Sequence, residues 1–260
     1  MTLNAVASFA AAPYKRLLAI QLVFALGAAV AAVWTLHLAW IPGIEEAISR
    51  LPDRGAIRNG NLEWEKDAFM QLTEGSFLSI WVDVEGTVEV SRIADLGLEL
   101  QRDHLEIHSL FGNLDVRYPI GWRVALNRPE LEPWWGAWKP FVLLGIGLGI
   151  VFWIFLSWHF LAFLYVSPIR LLAFYQDRDV TWMGCWRLAA ASLLPGSAVM
   201  TGAILFYGLQ RLNLLGLLIA APLHIVIGWV YAALAPARLA TLPSVVSARE
   251  NPFSGPAAAP

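Results

Sequence analysis

The stretch whose reading decides the architecture is residues 141–165, FVLLGIGLGIVFWIFLSWHFLAFLY. It sits in a run from Lys139 to Arg170 that contains no Asp, Glu, Lys or Arg between its ends. A helix needs about 20 apolar residues to cross the hydrocarbon core of a bilayer, and this run is long enough. Working outward, three further charge-free runs separate Arg16 from Glu45, Arg187 from Arg211, and Arg211 from Arg238. The spacing predicts an integral membrane α-helical bundle of four spans, near 17–40, 141–165, 188–210 and 213–235. A cleaved secretory signal is the alternative for the first, because Lys15 and Arg16 precede an apolar core and Ala29-Val30-Ala31. That apolar run continues to Trp40, longer than a signal core, so it reads as a retained anchor.

Composition agrees. Hydrophobic residues make up 58% of the chain and charged residues 15%, against roughly 25% charged in an ordinary soluble domain. Much of the chain therefore has no need to face water. A net charge of -2 argues against a nucleic-acid partner, which calls for a basic face. The single Cys185 excludes an intrachain disulfide and a Cys-rich metal site, and no matched histidine marks it as a nucleophile.

Lys and Arg near the span ends set orientation. With segment 1–16 in the cytoplasm, that side receives Lys15, Arg16, Arg170, Arg178, Arg187, Arg238 and Arg249. Only Asp177, Asp179 and Glu250 oppose them there. Segments 166–187 and 236–260 are then cytoplasmic too, the first an interfacial helix and turn, the second ending in a disordered Pro- and Ala-rich tail. Trp34, Trp40, Trp134, Trp135 and Trp138 fall at the opposite interface, where amphipathic rings favour the headgroup level.

Segment 41–140 changes character and reads as an inserted extracytoplasmic α+β domain, mainly antiparallel β. Ile44, Ala47, Ile48 and Leu51 repeat at helical spacing, which predicts a short amphipathic helix. Asn59-Gly60 between Ile57 and Leu62 predicts a hairpin with a type I′ turn. Residues 77–84 read as a central strand, and Glu85-Gly86 turns the chain toward a strand at 87–90. Strict alternation then places Leu96, Leu98 and Leu100, and later Leu105 and Ile107, on the apolar face of half-buried strands. An edge strand at 113–118 stops at Pro119, and 129–140 forms a stiff Trp- and Pro-rich collar leading into the second span.

Few residues carry reactive chemistry. His104, Glu106 and His108 share one face of a strand, and imidazole and carboxylate suit zinc-like ions. Two histidines four residues apart on a strand stand about 13 Å apart at ~3.3 Å per residue, too far to grip one ion. The trio is therefore expected to be a solvated recognition surface, joined by Trp134, Trp135 and Trp138, and no metal or cofactor is expected. Within the spans, His159 and His224 are the notable ionisable groups, and an ionisable residue in lipid is a functional hypothesis by default. The bland alternative is a structural hydrogen bond to Ser, Thr or a freed carbonyl. Pro195 and Pro222 interrupt the third and fourth spans. Gly145 and Gly149 form a small-xxx-small face suited to close helix packing, within the bundle or with a partner.

The layout, together with Ile57-Arg58-Asn59-Gly60-Asn61-Leu62, Ile80-Trp81-Val82-Asp83 and 98–105, resembles a group of uncharacterised bacterial multi-spanning membrane proteins. These insert an extracytoplasmic domain after the first span, so the resemblance implies the same topology and the bacterial inner membrane. It implies nothing about reaction chemistry. The expected function is a non-catalytic accessory or assembly subunit of a membrane complex, with a membrane-protein partner or a homo-oligomer. The alternative is a small transporter or channel built on the Pro-interrupted spans, with His159 and His224 on a common wet cavity. A membrane redox subunit or a sensor is the third option.

Overall fold

A computed structural model describes residues 1–65, 69–86 and 94–242. The strand expected at 87–90 and the disordered tail expected at the end of segment 236–260 lie outside them. The described chain combines helices with antiparallel-rich sheets. Four helical stretches, Tyr14–Arg50, Arg128–Tyr175, Trp182–Gly208 and Leu214–Arg238, are long and apolar enough to cross a membrane. The chain divides into two compact units, one made of Met1–Ala31, Gly147–Tyr207 and the residues from Leu215, the other of Ala32–Ile146 and Gly208–Leu214.

The first unit is helical. A short helix α1 (Leu3–Ala7) is capped by the Thr2 hydroxyl, which accepts from the Ala5 N–H at 3.2 Å. Its Val6 is fully buried, as is Leu17 of α2 (Tyr14–Ala39). These pack with Ala162, Val166 and Ile169 of α4 (Arg128–Tyr175) and Leu188 of α5 (Trp182–Ser192). The expected third span is broken. Helix α5 stops at Ser192 and α6 (Leu194–Gly208) restarts beside Pro195, which has no N–H for a continuous ladder. Helix α7 (Leu214–Leu234) instead carries Pro222 inside it and ends in a 3-10 turn at Ala235–Arg238. Two arginines bind backbone carbonyls of flanking segments within this unit: Arg187 donates to the Ala12 carbonyl at 2.7 Å and Arg178 to the Leu239 carbonyl at 2.8 Å.

Helix α4 is longer than the 141–165 span. It begins at Arg128, so the 129–140 collar is its first turns, and it continues to Tyr175, into the first part of the 166–187 segment expected as an interfacial helix and turn. Pro129 sits in the first turn, where a missing N–H is harmless.

The second unit holds the β structure. Helix α3 (Ile41–Arg50) follows α2 after Trp40, with Pro42 in its first turn. A ten-residue helix is marginal alone. Burial of Ala47 and Leu51 against Leu72, Val82 and Leu100 is what holds it, since a fully buried aliphatic side chain contributes roughly 1.5–3 kcal/mol. Strands β1 (Gly55–Arg58) and β2 (Asn61–Trp64) form the expected hairpin, with Asn59 at φ 49° and Gly60 at φ 83° as a type I′ turn requires.

The remaining strands are β3 (Phe69–Thr73), β4 (Leu78–Asp83), β5 (Leu96–Leu100), β6 (His104–Ser109), β7 (Gly112–Arg117) and β8 (Arg123–Ala125). They differ from a single antiparallel sheet in two respects. Among the described residues there are two sheets, β2-β1-β8 and β3-β4-β5-β6-β7, because β8 returns to pair with β1. And β4 and β5 run parallel, Leu78 opposite Leu96 and Val82 opposite Leu100. A parallel pair needs a crossover connection rather than a tight turn, which the Glu85-Gly86 turn signal conceals.

Candidate functional site

The register of the five-stranded sheet sets out one polar face. Trp81 on β4 stands opposite Glu99 on β5, Glu99 opposite Glu106 on β6, and Glu106 opposite Asp115 on β7. In the next row, Gly97, His108 and Asn113 align across the same three strands. Alternation on β6 puts His104, Glu106 and His108 on this face, as expected from sequence. The face is not openly solvated, however: the Glu99 side chain is 8% exposed, that of His108 14% and that of Glu106 18%.

Three like charges in one cross-strand row oppose folding, so their donors matter. The Gln101 amide nitrogen donates to Glu99 Oε1 at 2.8 Å and to Glu106 Oε2 at 3.1 Å. His108 Nε2 lies 2.9 Å from Glu99 Oε2, and an ionised carboxylate only accepts, so Nε2 carries the proton. Asn113 donates to Glu106 Oε1 at 2.7 Å. All four oxygens of the two glutamates thus accept a bond. Trp81 stacks on His108 at 5.3 Å between ring centroids and so fixes the imidazole. Gly97 makes room for that stack: a Cβ there would stand 2.8 Å from Trp81 Cη2 and 3.2 Å from His108 Cβ.

Ligand atoms of Glu99, Glu106 and His108 lie within 4.8 Å of one another, and so do those of His104, Glu106 and Asp115. The two histidines fall in different groups, as the spacing along one strand requires. The sequence reading missed Glu99 and Asp115, which reach Glu106 across strands. Both groups have suitable donor chemistry for a zinc-like ion. In the first, every carboxylate oxygen already has a protein donor, so the arrangement closes as a hydrogen-bonded network. At the edge of this face His104 Nδ1 meets Asp103 at 2.8 Å, and this hydrogen bond holds the Asp103 carboxyl below its ordinary range.

The opposite face of the sheet is apolar and only partly covered. Helix α3 packs on β3 and β4. Farther out, a half-open groove of about 290 Å³ is lined solely by apolar side chains, among them Ile44, Leu98, Leu105, Leu131, Trp134 and Trp135. Two of the three expected surface tryptophans therefore wall this groove, and Trp138 is 52% exposed. Leu105 pairs with Val116 and Ile107 with Leu114 on β7, the last strand of the sheet. Leu114 is 60% exposed and Val116 43%. An apolar surface thus runs from the groove to the sheet edge.

The helical candidates are dispersed. His159 Nδ1 donates to the Phe155 carbonyl at 2.8 Å, and its Nε2 stands 3.5 Å from the Tyr14 hydroxyl. Its ring packs against Phe155 and Trp186. His224 has other neighbours. Its carbonyl lies where a side chain on Gly196 would stand, so Gly196 lets α6 and α7 approach closely, and its Nδ1 is buried without a hydrogen-bond partner among the described residues. The expected packing glycines behave differently: a Cβ on Gly145 or Gly149 would meet nothing within 4 Å. Gly196 is a small residue that packs α6 on α7, and its signal in sequence is only its place after Pro195.

No known family model, curated protein or solved structure matches the chain.

Proposed function

We propose that the chain is a non-catalytic accessory or assembly subunit of a bacterial membrane protein complex. In this reading four spans hold it in the inner membrane, with both termini cytoplasmic and the 41–140 domain outside, docking an apolar segment of a partner subunit. The observation that carries the reading is the uncovered apolar face from the Leu105–Trp135 groove to Leu114 and Val116 on the terminal strand β7. Contiguous exposed apolar surface of this kind is a mark of an interaction site, and a terminal strand offers backbone for β-augmentation. The open surface at Gly145 and Gly149 supports it further, because a partner helix can approach closely there. The closed network on the polar face fits a rigid scaffold that orients this surface.

The test is a photo-crosslinking amino acid at Leu114 or Val116 in the full chain, expressed in its native membrane. One discrete heterologous adduct is expected, lost when Leu105→Asp disrupts the groove. A chain that purifies in mild detergent as an uncrosslinked monomer would sink the reading, and an adduct to itself would replace the partner with a second copy.

A further inference from the structure

The turn between β6 and β7 presents the wrong residues to water. Ser109 pairs with Gly112, and the Ser109 hydroxyl both donates to the Gly112 carbonyl at 3.1 Å and accepts the Phe111 N–H at 3.2 Å. Gly112 completes the turn at φ 115°. The tip is therefore held by its own bonds, leaving Leu110 56% and Phe111 82% exposed. Two-residue hairpin turns favour Asn, Asp and Gly, so Leu-Phe at the tip calls for an apolar surrounding.

The register says which way that tip points. Strand β6 runs toward Ser109, which stands opposite Leu96, and Leu96 stands beside Leu78. At this end the Asp95 N–H donates to the Ser76 carbonyl at 2.9 Å. Leu78 also lies against Gly43 in the first turn of α3. The Ser76 hydroxyl is hydrogen-bonded to the Gln210 side chain. Gln210 belongs to the 208–214 connection, and Gly208 in that connection touches Thr35 of α2. The ends of β4, β5 and β6 thus lie level with the places where apolar helices enter and leave the second unit, and the tip projects past Ser109 in that direction. At the other end of β7, Ile120 lies against the Gly60 turn.

We propose that Leu110 and Phe111 insert into the outer interface of the lipid bilayer, giving the domain a contact with the membrane beside its helical connections. This rests on the membrane-spanning reading above. A short loop carrying Leu and Phe is suited to that position, where apolar side chains enter the acyl boundary while the backbone stays hydrogen-bonded within the hairpin. The insertion point limits tilting of the sheet and so sets the height of the groove above the bilayer.

The full chain, as a Cys185→Ala variant reconstituted in phosphatidylcholine vesicles, can carry a nitroxide at Phe111→Cys, Ile120→Cys or Leu148→Cys. Cys185 is buried and can be retained if its replacement impairs folding. Collisions with oxygen report lipid, and collisions with a water-soluble nickel chelate report solvent. The expected result is oxygen access at position 148 and nickel access at 120. At 111, nickel access should fall several-fold below that at 120, with oxygen access raised. If 148 reports lipid while 111 matches 120, the insertion is wrong and the spanning reading stands. If 148 itself reports water, the spanning reading fails and takes the insertion with it. Low access to both reagents at 111 also overturns the proposal, and assigns the tip to a protein contact.

Discussion

Glu99 and Glu106 face each other directly across β5 and β6, and a single amide, that of Gln101, donates to both. Their remaining oxygens are taken by His108 and Asn113. A like-charge pair opposite one another destabilises a sheet, so this part of the fold depends on its donors more than on its acids.

Replacing the donor should therefore cost more than replacing an acid. Gln101→Leu leaves two carboxylate oxygens without a partner, and a buried acceptor so orphaned costs roughly 1–3 kcal/mol. The double variant with Glu106→Gln should recover part of that loss, because a neutral amide removes the repulsion and supplies a donor. Urea unfolding of the full chain in detergent, followed by tryptophan fluorescence, checks both. Equal stability of Gln101→Leu and wild type would show that the network carries no weight.

The glycine beside the stack makes a second prediction. Gly97→Ala drives a methyl group into Trp81 and His108, and overpacking of this kind costs about 1–3 kcal/mol. Tryptophan fluorescence at neutral pH should also change as the indole is pushed off the imidazole. A variant with unchanged stability and spectrum would argue against the stacked geometry.

Tyr118 links the domain to alkaline pH. Its hydroxyl donates to the Gln101 carbonyl at 3.0 Å. Burial, and then the charge of Asp103, push its phenol above the ordinary value of 10. The folded domain thus favours the neutral phenol. Its contribution is complete below pH 10 and is lost as pH rises from there toward the folded value. Wild-type stability should fall more steeply above pH 10 than that of Tyr118→Phe, which itself loses roughly 1 kcal/mol at neutral pH with the hydrogen bond. Parallel curves for the two proteins would remove Tyr118 as the cause.

Between the helices, Gly196 is the sensitive position. Any side chain there meets the His224 carbonyl, which is backbone and cannot rotate aside. Gly196→Ala should lower the melting temperature in detergent, by a cost at or above the ~1–3 kcal/mol of ordinary overpacking. Gly145→Ala, with open space around it, should leave the isolated chain unchanged. If the two alanines behave alike, the α6–α7 approach is wrongly placed.

The sequence by itself determined where the apolar helices lie, the amphipathic α3, the Asn59-Gly60 hairpin and the strands β4 to β7. Each follows from a local rule: gaps between charges, a repeat of 3.6 or 2 residues, or a tight turn that Asn-Gly favours. Alternation also put His104, Glu106 and His108 on one face. It could not say which strands lie beside them, because pairing partners are chosen by long-range burial and not by any one strand's own pattern. Only the tertiary structure placed β4 parallel to β5 and set Glu99 and Asp115 on either side of Glu106, turning an expected solvated face into a closed network. Tertiary packing likewise made Gly196 a point of close approach between α6 and α7, and left Gly145 and Gly149 facing open space. A glycine's role depends on what stands across from it, and its own sequence neighbourhood carries no record of that.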